Sequence, residues 1–270
     1  MKIFLKDEEF AEFSRSGGMG SESVSPARKF VLTKDRILLE DEDVLVVNKP
    51  AGTNVHPGDH KSDENSVIEA AMDYLEDKFD TLTFRPSLVH RIDRDTSGVL
   101  LIAKNKRSLD RLLDALQNDK MDKTYAMIAT RPPRPESGTV RKKLLRVENA
   151  KNEAKVRVDE AGANAVTHYR TLSKGLAGKY ALVECRIETG RTHQIRVHMA
   201  SLGSPVLGDR AYGDIGENSF AKRNFGVGRQ LLHAWKLVFP HPKTGARTEV
   251  EAPFEADMAS LVTGKTDSGR

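Results

Sequence analysis

Short apolar runs separated by polar turns predict most of the strands. Val99-Leu100-Leu101-Ile102 is an unbroken apolar run, which predicts a buried strand. Residues 37–40 and 44–47 are two more short runs, separated by the acidic turn Asp41-Glu42-Asp43. Further strands are predicted over residues 123–129, 165–172, 180–188, 231–239 and 247–251, and the basic stretches 141–143 and 151–157 predict an exposed hairpin.

Three segments carry apolar residues at helical spacing. The first begins at a capping box formed by Ser66 and Glu69, and the second follows Ser108. In the third, Thr192 is the predicted N-cap and Gly203 the predicted stop. Their apolar positions are Ile68, Ala71, Met72, Leu75 and Phe79; Leu109, Leu112, Leu113 and Leu116; and Ile195, Met199 and Leu202. Because strands outnumber helices and come in hairpin-like groups, the pattern predicts an α+β fold with a largely antiparallel sheet.

The compact domain is expected to cover residues 34–262. Residues 1–33 lack a sustained period, and the part between 14 and 26 is rich in Ser and Gly, which is typical of a flexible segment. Residues 263–270 are predicted to form a polar tail. Within the domain, the glycine-rich stretch 204–230 is predicted to be a long loop, and loops of this length are often functional.

The charge balance permits a nucleic-acid partner without requiring one. The 270 residues include 43 Lys and Arg against 39 Asp and Glu, which gives a net charge of +4. Cys185 is the one cysteine, so an internal disulfide is excluded and a reducing compartment is indicated. No run approaches the length of about eighteen apolar residues that a membrane helix needs, so a cytoplasmic protein without membrane contact is expected.

The strongest chemical signal is a polar segment, residues 90–97, directly before the predicted buried strand at 99–102. Packing explains the apolar run but not the charges and hydroxyls directly before it. Loops carried on rigid strands often hold catalytic groups. A turn whose Asp and Ser bond their own backbone explains the segment equally well. Asp93 and Asp95 lie two residues apart in one turn, which suits a glycosidase pair poorly.

Several enzyme classes are not indicated. The sequence has no H-E-x-x-H motif and no paired C-x-x-C, and His193 and His198 are five residues apart, on different faces of a helix, so no metal site is expected. Residues 90–93 slightly resemble a kinase catalytic loop, but no glycine-rich phosphate loop or D-F-G triplet accompanies them. Cys185 lies on the same face of a predicted strand as Ala181, Val183 and Ile187, which favours a core position over a role as a nucleophile.

Asp93, Tyr125 and Arg196 form the remaining combination with a chemical rationale. A catalytic carboxylate must stay ionised in a cleft where desolvation raises its pKa, and a neighbouring Arg restores the charge and fixes the orientation. A Tyr can stack on a base and present a hydroxyl for proton transfer. Each residue also has a structural alternative. Asp93 could cap a turn, Tyr125 could be a core aromatic of its strand, and Arg196 could make a surface ion pair worth at most about 1 kcal/mol. Arg196 lies about 100° around the helix from Ile195, so it is expected to border the buried apolar stripe without pointing into that stripe.

Five sequence blocks, in order, resemble the RluA family of pseudouridine synthases. His90-Arg91-Ile92-Asp93 with Thr96-Ser97-Gly98 resembles the family signature, in the form found in its RluC-like members. The resemblance spans roughly residues 37 to 253, and five blocks in register are far more specific than one. The other blocks are Asn48-Lys49-Pro50-Ala51-Gly52, Lys123-Thr124-Tyr125-Ala126, residues 190–198 and Gly208-Asp209-Arg210.

The resemblance implies the pseudouridine synthase fold, a mixed, mainly antiparallel central sheet with flanking helices and an RNA-binding cleft. It also implies isomerisation of uridine in RNA to pseudouridine without metal or organic cofactor. Asp93 corresponds to the family's catalytic aspartate, Tyr125 to the Tyr that packs on the target base, and Arg196 to the Arg that pairs with the aspartate. Arg91 corresponds to the Arg that fills the space left by the flipped uridine. Whether Asp93 attacks C1′, attacks C6 or removes a proton from C2′ stays open.

The expected partner is RNA, bound by a monomer. Large-subunit ribosomal RNA is the first expectation and transfer RNA the second, with a non-catalytic RNA-binding assembly factor as a third possibility. Many family members carry an S4-type RNA-binding domain before the catalytic domain, and residues 1–33 are too short for one, so it is expected to be absent or removed. The residues expected to contact RNA are Arg91, Lys49, His56, Arg191, His193 and Arg210.

Overall fold

A computed structural model describes residues 30–57, 65–76, 84–148 and 154–264. The predicted flexible segment falls outside the described residues up to residue 29, and the predicted polar tail falls outside them from residue 265. Leu32 is buried in the core and Phe30 packs against it, so packing begins just before residue 34. No described helix is long and apolar enough to cross a membrane.

Twelve strands of the described chain form one large sheet and one small one. The large sheet has the order β1-β2-β4-β11-β5-β10-β9-β6, with β3 added at β4 and β12 at β11, and β7 and β8 pair separately. The strands are β1 (Ile37–Glu40), β2 (Val44–Lys49), β3 (Ser87–Leu88), β4 (Ser97–Ala103), β5 (Asp122–Ala129), β6 (Ser137–Arg141), β7 (Leu144–Glu148), β8 (Ala154–Val158), β9 (Val166–Leu176), β10 (Tyr180–Ile187), β11 (Leu232–Pro240) and β12 (Arg247–Glu251).

The sheet is mixed but mainly antiparallel. The pair β4–β11 is parallel, and every other pairing between the described strands is antiparallel. The α+β prediction is therefore confirmed. The predicted basic hairpin is confirmed only in part: β7 and β8 form their own two-stranded sheet, but residues 141–143 precede β7, and residues 149–153 lie outside the described residues. The described helices are α1 (Val67–Leu75), α2 (Lys106–Gln117), α3 (Gln194–Ser201), α4 (Ile215–Phe225) and α5 (Ala256–Thr263).

The unbroken apolar run of β4 arises because both of its faces are covered. Leu100 and Ile102 belong to one core cluster, together with residues of α1, whereas Val99 and Leu101 belong to another, against which α2 packs. Successive side chains of a strand point to opposite faces, so burial on both sides removes the usual polar alternation. Every residue of β4 is buried, which makes this strand a rigid support for the polar segment before it.

The predicted helix starts are confirmed in one case and shifted in two. Ser66 and Glu69 form the capping box of α1. The second helix starts earlier than predicted, because the side chain of Asn105 accepts a hydrogen bond from the backbone N–H of Ser108 at 2.9 Å and caps α2. For α3 the prediction of Thr192 as N-cap was wrong: the cap residue is His193, in a left-handed conformation with φ of 54°.

Two helices were not predicted from the sequence. The glycine-rich stretch predicted to be a loop contains α4, and residues after the last strand form α5. Within α4 only Ala221 is buried, so the segment lacks the apolar stripe on which the sequence prediction depends. Its start is fixed instead by the Asp214 carboxylate, which accepts a hydrogen bond from the backbone N–H of Glu217 at 3.0 Å.

The close approach of β4 and β11 requires glycine at position 98. Gly98 has φ of +111°, and a Cβ there would lie 2.2 Å from the carbonyl oxygen of Ala234. We expect Gly98→Ala to lower the free energy of unfolding by about 2 kcal/mol or more, because the backbone of a central strand pair must separate. Urea denaturation measures the change. Gly190→Ala is the matched control, since a Cβ at Gly190 meets no atom within 4 Å, and equal stability of both variants would contradict the expectation.

Candidate active site

Asp93 lies in the turn between β3 and β4, just before the N-terminal end of the buried strand β4. The turn is closed by a hydrogen bond of 3.1 Å from the backbone N–H of Thr96 to the carbonyl oxygen of Asp93. Ile92 beside it is buried and anchors the loop to the core. The Asp93 side chain retains 27% of its exposure, so the carboxylate is sheltered but still reachable from the solvent side.

Arg196 of α3 lies between two carboxylates. Its Nη1 donates to Oδ2 of Asp93 at 3.0 Å, although 103 residues separate the two in sequence. Its Nε and Nη2 donate to Oδ2 and Oδ1 of Asp209 at 2.7 and 3.0 Å, a bidentate pair. Burial opposes the charge of Arg196, but the pairing with Asp209 and then Asp93 raises its pKa above the usual value. One guanidinium thus serves two carboxylates.

Arg196 lines the cleft beside the apolar stripe of α3, as expected, but it is nearly buried, so the alternative of a surface ion pair is wrong. Its side chain is 8% exposed, and that of Asp209 is 1% exposed. The buried carboxylate was named in the sequence only as part of a family block, and nothing in its spacing indicated a partner 13 residues earlier. Asp209 is further held by the backbone N–H groups of Ala211 and Tyr212 at 2.9 and 3.1 Å, so it is a fixed anchor for the guanidinium.

Tyr125 of β5 lines the same cleft as Asp93 and Arg196. It is buried, and burial together with the charge of Asp93 raises the pKa of its hydroxyl well above the usual value. Tyr125 is therefore a neutral phenol at physiological pH, with a ring wall toward the cleft. The cleft is lined by Arg91, Ile92, Asp93, Thr96, Tyr125, Ile187, Gly190, Arg191, His193, Gln194, Ile195, Arg196 and Leu232.

Three of the residues expected to contact RNA surround this cleft. Arg91 and Arg191 are exposed cleft-lining residues, and partly buried His193 has its Nε2 3.8 Å from Oδ2 of Asp93. His56 is exposed on the neighbouring loop, and partial desolvation of its ring, followed by the charge of Arg91, lowers its pKa. Arg210 is exposed but does not line the cleft, and its Nη2 donates to the carbonyl of Gly228 at 3.0 Å.

Lys49 does not have the predicted role in RNA contact, and this prediction is corrected. The residue is completely buried, and its Nζ donates to the carbonyl oxygens of Pro50 and Thr53 at 2.8 Å and of Arg94 at 2.7 Å. Burial lowers the pKa of its ammonium group to about 7. Lys49 ties the loop after β2 to the loop that carries Asp93, so its effect on the site is structural.

Residues from the long connection hold the other side of the Asp93 loop. Arg229 donates to the carbonyl of Asp95 at 3.2 Å, and the Gln230 amide donates to the hydroxyl of Thr96 at 3.0 Å. At the start of β4, the Ser97 hydroxyl lies 2.8 Å from Nδ1 of His233, whose Nε2 lies 3.2 Å from the carbonyl of Ala252. These supports could not be predicted from the sequence, because residues 229–233 follow the loop by more than 130 positions.

His233 also predicts a pH dependence of stability. Burial lowers its pKa to about 4, whereas an unfolded His titrates near 6.5. Between about pH 6.5 and 4 the unfolded chain binds a proton that the folded chain does not, so stability falls as pH falls through this window, by up to about 3 kcal/mol. Urea midpoints at several pH values measure the slope. His233→Asn is expected to reduce it, with His90, whose pKa burial lowers to about 4, retaining part; an unchanged slope would contradict the assignment.

A possible metal-ligand cluster among the described residues lies away from the cleft lining. Asp41, Asp43 and His241 bring their ligand atoms within 4.8 Å of one another. Hydrogen bonds account for this arrangement: His241 Nε2 lies 2.8 Å from Oδ2 of Asp41, and Oδ1 of Asp43 accepts from the hydroxyl of Ser108 at 2.7 Å. The cluster joins the β1–β2 turn to the β11–β12 turn and α2, which is a structural role.

The fold and the site together are typical of an enzyme. The mixed sheet holds the carboxylate of Asp93, paired with Arg196, in a cleft that is also lined by Arg91 and Arg191. Residues 43–201 match the family described as RNA pseudouridylate synthase. A Bacillus subtilis protein, uncharacterized RNA pseudouridine synthase YlyB, is 38% identical over 235 residues, which cover 86% of this chain and 73% of that protein. Ribosomal large subunit pseudouridine synthase D of Zymomonas mobilis is 38% identical over 228 residues, 83% of this chain and 71% of that protein.

Solved structures of the same kind share the fold. The human RNA pseudouridylate synthase domain containing 4 protein has a TM-score of 0.68 at 24% identity, over 85% of this chain and 92% of that one. Human RNA pseudouridylate synthase domain containing 1 has a TM-score of 0.66 at 25% identity, over 83% of this chain and 86% of that one. The chain belongs to the RNA pseudouridylate synthase family, and the resemblance drawn from the five sequence blocks is confirmed. It is an isomerase that acts on RNA.

Proposed function

We propose that this enzyme converts specific uridines of large-subunit ribosomal RNA to pseudouridine, with Asp93 as the catalytic carboxylate. The observation that carries the proposal is the 3.0 Å pairing of Asp93 with Arg196 in a cleft walled by Tyr125. The choice of RNA is supported by relatives named ribosomal large subunit pseudouridine synthase D, from Zymomonas mobilis and Xylella fastidiosa among others.

The geometry suits chemistry on an extruded nucleotide. The N1–C1′ bond must break, the uracil must turn while it is held, and C5 must then bond to C1′, which a base inside a stack cannot do. Arg196 holds Oδ2 of Asp93, so Oδ1 remains for the substrate, and the Tyr125 ring offers a flat surface against the base. Arg91 at the cleft edge is suited to occupy the gap in the stack, since its guanidinium is planar and exposed.

Mapping of the product tests the proposed function. Purified enzyme is incubated with unmodified transcripts of large-subunit ribosomal RNA and of transfer RNA, and pseudouridine is located by carbodiimide labelling and reverse transcription. Discrete sites in the ribosomal transcript are expected. Modification of transfer RNA alone would replace the proposed substrate, and release of free uracil would indicate a hydrolase instead. Binding of either RNA without any product would contradict a catalytic function.

A further inference from the structure

Tyr212 lies at the junction of three elements beside the cleft but does not line it. Its hydroxyl is 2.8 Å from Nδ1 of His193 and accepts a hydrogen bond of 2.9 Å from the backbone N–H of Val156 in β8. Its ring lies 5.0 Å from the guanidinium carbon of Arg196. The ring also packs against a small apolar cluster that includes Val156 and Val197, so the tyrosine is fixed at both ends.

The hydrogen-bond donors determine which nitrogen of His193 carries the proton. The N–H of Val156 can only donate, so it uses an acceptor lone pair of the Tyr212 oxygen. A phenol oxygen carries its proton and its best acceptor lone pair at two positions in the ring plane. With one position facing the Val156 N–H, the proton occupies the other and points to Nδ1 of His193, which acts as the acceptor. A neutral imidazole with Nδ1 as acceptor has its proton on Nε2, and Nε2 is the atom 3.8 Å from Oδ2 of Asp93. The chain Val156, Tyr212, His193 therefore ends in an N–H that faces the carboxylate.

This arrangement completes the support of Asp93. Arg196 and His193 both approach Oδ2, at 3.0 and 3.8 Å, which leaves Oδ1 for the substrate. His193 adopts a left-handed backbone conformation, with φ of 54°, which residues other than Gly rarely adopt. Such a conformation persists where the surroundings hold it, and Tyr212 is the partner that holds this ring.

We propose that Tyr212 is a positioning residue for the isomerisation, which holds His193 with its Nε2–H toward Asp93 and uses the backbone of β8 as its own anchor. The inference deepens the proposed function and rests on it. Among the described strands β8 pairs with β7 alone, in the separate two-stranded sheet, so the anchor also links the position of that strand pair to the carboxylate.

Tyr212→Phe tests the role, because it keeps the ring over Arg196 and removes only the hydroxyl. We expect kcat to fall about tenfold, as for the loss of one oriented hydrogen bond, with RNA affinity close to wild type. A small fall in the thermal midpoint is expected, because the Val156 N–H loses its acceptor. Tyr180→Phe is the matched control. The Tyr180 hydroxyl bonds Glu217 at 3.3 Å and the residue does not line the cleft, so its kcat is expected to be unchanged.

The pH profile distinguishes this role from a purely structural one. The proposed role requires a neutral His193, because only the neutral ring accepts a hydrogen bond at Nδ1 from the Tyr212 hydroxyl. Loss of that hydroxyl eases protonation of the ring, so the acid limb of kcat is expected to move to higher pH. The charged groups that face His193 are Asp93, Arg196, Asp209 and, from the hairpin, Arg146, and all are retained in the variant. Tyr180→Phe is expected to keep the wild-type profile.

A double variant completes the test. If Tyr212 acts through His193, Tyr212→Phe added to His193→Gln is expected to cause no further loss of kcat. Additive losses, a wild-type rate and pH profile for Tyr212→Phe, or an unfolded Tyr212→Phe protein would each overturn the inference. Wild-type isomerisation is measured first, so a failure of Tyr212→Phe to respond rejects the role of Tyr212 alone, whereas an inactive wild type on all RNAs rejects the proposed function.

Discussion

Asp93→Asn is expected to abolish isomerisation, by about a thousandfold or more in kcat, while RNA binding and folding persist. The amide matches the carboxylate in size but can neither attack the sugar or base nor accept a proton from C2′. Arg196 keeps its bidentate pair with Asp209, so the buried charge remains compensated and the fold is retained. Single-turnover assays with a responsive RNA measure the rate, and filter binding measures affinity.

Asp95→Asn is the matched control, because Asp95 lies in the same loop as Asp93 and the substitution removes the same negative charge. Its backbone carbonyl, which the substitution leaves in place, is the group that Arg229 holds. Near-wild-type activity is expected. A substantial residual rate in Asp93→Asn would reject the assignment of the catalytic carboxylate, and equal losses in both variants would favour a site that uses the two carboxylates together.

Arg196→Met is expected to cost both activity and stability, with a loss of about 3–5 kcal/mol in the free energy of unfolding. The guanidinium is the charge partner of Asp209, whose side chain is 1% exposed, so its removal leaves a buried carboxylate with only backbone N–H donors. Chemical denaturation measures the loss. Addition of Asp209→Asn to Arg196→Met should restore part of the stability, because no buried charge then remains unpaired, but should not restore catalysis.

Arg186→Met provides the control for removal of an arginine from an ion pair. Arg186 contacts Asp122 at 3.2 Å, but both side chains are about half exposed, so the change is expected to be below about 1 kcal/mol. If Arg196→Met were as stable as Arg186→Met, the buried pair with Asp209 would not contribute as the geometry indicates. If it were stable yet inactive, Arg196 would act only through Asp93.

Strands were predicted well because their signal is local. The run from Val99 to Ile102 and the alternation in residues 180–188 record which faces are covered, and the structure places strands at both. The helix α4 was missed for the converse reason: it buries only Ala221 of its eleven residues, so no apolar stripe marks it. The N-cap of α3 was misplaced because tertiary contacts of His193, rather than a local capping side chain, define that end.

The sequence by itself determined the α+β class, the buried strand β4, and the candidates Asp93, Tyr125 and Arg196, through family blocks that each lie within a few residues. Only the tertiary structure decided which polar groups meet. It buried Lys49 against three carbonyls, paired Arg196 with Asp209 as well as Asp93, and brought Tyr212 to His193. The physical reason is that hydrophobic periodicity reports which side of an element is covered, whereas a buried charge is stabilised by partners that chain folding brings from distant positions.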